Sequence, residues 1–95
     1  MAKIRAHVFV SGRVQGVNFR YYTQRQAQAE GVTGWVRNNA DGRVEALFEG
    51  EESNVQSLVQ WCRIGPSGAR VDDVAVEWLP PTGEFQHFDI HHWSW

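Results

Sequence analysis

The sequence predicts an α+β domain, a mixed and mostly antiparallel sheet carrying two helices on one face. Three observations predict it. Apolar and polar residues alternate in four separate runs, two other stretches repeat at helical spacing, and turn residues punctuate them. Read in order, these elements spell β-α-β-β-α-β with a short extra strand at the C-terminal end. That is the split β-α-β sandwich, or ferredoxin-like, plan. Ninety-five residues leave room for one core, so residues 1–95 are expected to form a single domain.

Lys3 to Val10 puts Ile4, Ala6, Val8 and Val10 on one side, as a strand with one buried face should. Beyond a Gly12–Val17 loop, Phe19, Tyr22, Thr23 and Ala27 recur at helical spacing, with Asn18 as N-cap and Gly31 as terminator. Val32–Asn38 and Arg43–Phe48 read as two strands, and Asp41-Gly42 between them is a strong hairpin signal. A second helix starts near Ser53, with Gln56 completing a capping box. Val55, Leu58, Val59 and Cys62 form its apolar stripe, and Gly65-Pro66 ends it. Val71 to Leu79 alternates again, with Val74, Val76 and Trp78 on one face. After Pro80-Pro81 a last strand runs through Phe85, Phe88 and Ile90. Right-handed crossovers place the first strand centrally. The aromatic residues Phe9, Phe19, Trp35, Phe48, Trp61, Trp78, Phe85 and Phe88 are read as support for a sizeable core.

Composition removes several function classes. A net charge of −2 gives no broad basic footprint, so no nucleic-acid partner is expected and any anion site must be local. One cysteine, Cys62, forms no intrachain disulfide, and no zinc-ligand spacing exists. No apolar stretch follows Lys3 and Arg5, and no run is long enough to span a membrane. The expectation is a cytoplasmic monomer with no membrane partner, no metal and no cofactor. His91 and His92 would point to opposite faces of a strand, a poor chelating pair. Trp93 and Trp95 could cover a core edge, pack in a dimer or stay exposed.

The chemistry is concentrated between Val10 and Arg20. Gly12 and Gly16 let the backbone curl so that N–H groups converge, and a helix N-terminus behind them adds free donors and the positive end of its dipole. Arg20 falls in the first turn, where its guanidinium can close over the same space. Such an arrangement suits a phosphoryl group. On its own it is equally a glycine-rich turn with a solvated arginine, and a second motif decides the matter.

That motif is Gly34-Trp35-Val36-Arg37-Asn38, followed by Gly42 and Gly50. Together with Gly12, Val14-Gln15-Gly16-Val17, Phe19 and Arg20, and with Gly65-Pro66, Ala69, Arg70 and Val71, it resembles the acylphosphatase family nearly end to end. The resemblance implies a metal-independent hydrolase that splits the carboxyl–phosphate bond of a small acylphosphate. It implies that Arg20 and the backbone N–H groups of Gln15, Gly16, Val17, Asn18 and Phe19 bind the phosphoryl group, and that Asn38 orients the attacking water. The same fold without catalysis, as an anion-binding or regulatory module, is the alternative. Related domains open large hydrogenase-maturation proteins, but those often carry proline after the arginine, where Tyr21 stands here. Three positions depart from the family pattern: Asn18 where glycine is frequent, Asn39 where some relatives have a hydroxyl, and the Trp93-Ser94-Trp95 extension. Some relatives pair their terminal carboxylate with the arginine, and that contact is not carried over to this chain.

Overall fold

The computed structural model describes residues 2–92. Seven elements follow in the expected order: β1 (Lys3–Arg13), α1 (Phe19–Glu30), β2 (Thr33–Asn38), β3 (Val44–Glu51), α2 (Glu52–Ile64), β4 (Arg70–Leu79) and β5 (Phe88–Ile90). They form one sheet in the order β4-β1-β3-β2-β5. Its first four strands are antiparallel to their neighbours, and β5 joins β2 in parallel. As expected, β1 sits inside the sheet.

The core lies between one sheet face and the helices. Ala6, Val8 and Val10 of β1, Val44, Ala46 and Phe48 of β3 and Val36 of β2 are buried there. From the other side come Phe19 and Ala27 of α1 and Val55, Leu58, Val59 and Cys62 of α2. Burying a side chain the size of Phe48 or Leu58 contributes about 1.5–3 kcal/mol. Fewer aromatic residues serve this core than the sequence suggests. Phe19, Phe48 and Phe88 are buried, whereas Trp78 is half-exposed and Phe9 and Trp35 lie on the opposite face of the sheet.

Several boundaries differ from expectation, β3 among them, which runs past Phe48 to Glu51. β1 runs on to Arg13, because Gly12 (φ 126°) carries a bulge that keeps it paired with β4. A Cβ at Gly12 would lie 2.2 Å from the carbonyl oxygen of Arg70, so only glycine allows that approach. α2 begins one residue early, since Glu52 N–H donates to the Ala2 carbonyl. Gln56 accordingly closes no capping box; its Nε2 donates to the Glu52 carboxylate. β5 is only three residues long. Phe85 lies outside it, beneath the guanidinium of Arg5, and the preceding loop is tied to β3 by Thr82 and Gly83 N–H bonds to Glu49. The Trp93-Ser94-Trp95 segment lies outside the described residues.

Candidate active site

Strand directions gather the functional residues. β1 and β2 are each antiparallel to β3, so they run the same way, and β5 runs with β2. The C-terminal ends of β1, β2 and β5 therefore meet at one edge of the sandwich. A pocket of about 350 Å³ opens there. One wall is Val14, Gly16, Asn18 and the first turn of α1 with Phe19, Arg20 and Tyr21. The other is Asn38 at the end of β2, with Ile90 and His92 beyond it.

The first wall is built to present donors. Gly16 (φ 76°) and Asn18 (φ 63°) both take the left-handed conformation, which turns the chain twice before the helix starts. Asn18 is the N-cap residue, but its side chain makes no capping bond, contrary to the sequence reading. Its backbone does the work: Tyr22 N–H donates to the Asn18 carbonyl at 3.1 Å. The N–H groups of Phe19, Arg20 and Tyr21 precede that ladder and have no acceptor within the helix. No acidic side chain occupies the first turn to neutralise the dipole.

Arg20 and Asn38 line the same pocket. Among the described residues, no carboxylate lies within ion-pair distance of Arg20, while Arg5 has two and Arg37, Arg43 and Arg70 have one each. Asn38 shows the complementary shortage. Its Oδ1 is buried and is the one such side-chain atom, among the described residues, without a hydrogen-bond partner. A buried acceptor left this way costs on the order of 1–3 kcal/mol.

Of the other sequence-named residues, Gly16, Asn18 and Phe19 line the pocket, whereas Gln15 and Val17 turn away from it. Gln15 Nε2 donates to the carbonyls of Asn39 (2.7 Å) and Arg43 (3.0 Å), tying the loop to the β2–β3 turn. Val17 packs against the core edge. Both have only backbone to offer a ligand. Cys62 is buried, and burial pushes its thiol up to about 12, so it is no nucleophile. Tyr21, Ile90 and His92 also line the pocket, a placement the sequence reading does not assign to them. The alternation of β5 was the available signal: His91 stacks on Trp35 across one face, which sends His92 to the other.

Comparison with known proteins establishes the family. The acylphosphatase family model matches residues 6–90. This chain belongs to the acylphosphatase family. An acylphosphatase from Roseiflexus sp. is 61% identical over 95% of this chain and 97% of its own. One from Pelotomaculum thermopropionicum is 57% identical over 95% and 98%. The crystal structure of the Bacillus subtilis acylphosphatase superimposes with a TM-score of 0.89 at 39% identity, covering 93% of this chain and 98% of that one. The ferredoxin-like α+β plan and the hydrolase class read from the sequence both stand. No helix among the described residues is long and apolar enough to cross a membrane.

Proposed function

We propose that this acylphosphatase hydrolyses small acylphosphates to a carboxylate and inorganic phosphate, with Arg20 and the 15–20 loop binding the phosphoryl group and Asn38 orienting the water. The observation that carries this reading is that Asn38 and Arg20, an arginine without a described carboxylate partner, line one pocket with the first turn of α1. Arg20 offers a planar fork for two phosphoryl oxygens, and the free N–H groups of the loop and first helical turn take the rest. Asn38 Oδ1 accepts one O–H of the water and so aims its lone pair at phosphorus.

The water oxygen bonds to phosphorus as the bond from phosphorus to the acyl oxygen breaks, and the carboxylate departs with that electron pair. One proton of the water passes to the phosphate product. A loose transition state needs position and charge stabilisation more than a strong base, and a carboxylate leaves without a strong acid. The described lining has no carboxylate to hold a divalent ion, which supports a reaction without a metal. We place the enzyme in the cytoplasm as a single-domain monomer acting on a small molecule, in keeping with its one free cysteine.

The test is turnover of benzoyl phosphate in EDTA by the wild type, Arg20→Gln and Asn38→Ala. Rapid wild-type hydrolysis that falls steeply, to a measurable residual rate, in both variants is the expected result. A folded wild-type protein that binds phosphate without turnover would instead be an anion-binding module on this fold.

A further inference from the structure

Asn38 can orient a water only if the end of β2 holds still, and the structure shows what holds it. Successive strand residues alternate faces, so Arg37 and Asn39 point to the open face of the sheet while Asn38 points to the pocket. Both neighbours converge on one oxygen of Glu45, which pairs directly with Arg37 in the β2–β3 register. Arg37 Nη2 donates to Glu45 Oε1 at 2.9 Å and Asn39 Nδ2 donates to the same oxygen at 3.1 Å. The second oxygen, Oε2, lies 2.5 Å from His7 Nε2. Glu45 is 6% exposed on a face that no helix covers. A carboxylate so nearly dehydrated needs these partners.

We propose that Glu45 is a positioning residue for Asn38, clamping the strand on either side of it through Arg37 and Asn39. Backbone contacts complete the clamp. Asn39 N–H donates to the Arg43 carbonyl at 2.8 Å, and Gln15 holds the Asn39 carbonyl. The Glu45 side chain itself bonds to no residue of the 15–20 loop, which meets the clamp only through Gln15, so losing Glu45 acts on water placement more than on phosphate affinity. The proposal rests on Asn38 orienting the water.

The experiment is a double-mutant cycle on benzoyl phosphate turnover, with competitive inhibition by inorganic phosphate measured beside it. Glu45→Ala is expected to lower kcat on the order of tenfold, the scale of a small misplacement of a positioned group. KM and the phosphate inhibition constant stay within about twofold. Glu45→Gln keeps an oxygen acceptor for Arg37 and Asn39 and retains most of the turnover. In the Asn38→Ala background Glu45→Ala has no further effect, because the group it positions is gone. Asn39→Ala, which removes one arm and leaves the buried carboxylate paired, gives a smaller loss of the same kind and guards against misfolding of Glu45→Ala. An undiminished kcat in Glu45→Ala, a parallel loss of phosphate inhibition, or a full additive loss in the double mutant overturns the proposal. Normal turnover by Asn38→Ala alone instead overturns the assignment of the water to Asn38.

Discussion

The pocket edge and the open face of the sheet treat their charged groups in opposite ways. On the open face, Arg5 is bonded to Glu49 and Glu84, Arg37 to Glu45 and Arg43 to Asp41, and each guanidinium also lies over an aromatic ring. At the pocket edge, the opening N–H groups of α1 have no acceptor within the helix, Asn38 Oδ1 has no donor, and no described carboxylate meets Arg20. The open face ties its arginines down, whereas the pocket edge leaves donors and an arginine available to a ligand. Arg37 and Arg43 are held on the open face by Glu45 and Asp41 and do not line the pocket.

The largest expected effect breaks the contrast from the pocket side. Arg20→Gln lowers kcat/KM on the order of 10³-fold, as loss of an arginine on a transferring phosphoryl group does. Arg20→Lys does not restore it, because a point charge replaces a planar fork. Arg43→Ala, removed from an exposed pair with Asp41, changes stability by about 1 kcal/mol or less and leaves steady-state turnover nearly intact. Equal losses in both variants would erase the distinction between the two regions.

From the open face the largest effect falls on stability. Glu49 is 5% exposed and accepts bonds from Arg5, Thr82 N–H and Gly83 N–H. Glu49→Ala leaves the nearly buried Arg5 with the exposed Glu84 and the Thr82 hydroxyl, and costs about 3 kcal/mol in urea unfolding. Turnover of the folded fraction is retained, since none of these groups lines the pocket.

Acid sharpens the same point. Burial pushes the carboxyls of Glu45 and Glu49 upward, but hydrogen bonds from His7, Arg37 and Asn39 to the first, and from Arg5, Thr82 and Gly83 to the second, outweigh it. Both end below the ordinary 4.5. A carboxyl depressed by folding contributes stability that is present above its unfolded value and lost as pH falls through its folded one. The melting temperature is therefore expected to fall with pH below 4.5, and less steeply in Glu49→Gln than in the wild type. Identical slopes would remove Glu49 from the account.

How much of this was legible in the sequence depended on how local each cause is. Alternation, helical spacing and Asp41-Gly42 act within a few residues, and the elements they mark are where they were expected. The two motifs containing Arg20 and Asn38 were equally legible, and strand direction brings them to one edge. The roles of Gln15 and Glu45 were not, because each is defined by a partner a strand or more away. Nothing near Glu45 in the chain shows that the open face has buried it beneath His7, Arg37 and Asn39. The short β5 had a similar cause, since Arg5 and Glu49 capture the 82–85 loop from across the sheet.

The smallest expected effect tests the turn that frees the donors. Asn18 is the one non-glycine residue with positive φ among those described, and asparagine tolerates that conformation better than other side chains. Its side chain caps nothing, so Asn18→Gly removes no bond and relieves the residual strain. That variant should match the wild type within about 0.5 kcal/mol in chemical denaturation and keep its turnover. Asn18→Val places a branched side chain at φ 63° and should cost about 1–2 kcal/mol, with weaker phosphate inhibition as the loop shifts. If valine were as well tolerated as glycine, the left-handed turn would not be what holds the loop's N–H groups toward the pocket. The pairing of a neutral glycine with a costly valine is what separates a backbone requirement from a side-chain cap, the role the sequence alone suggested for Asn18.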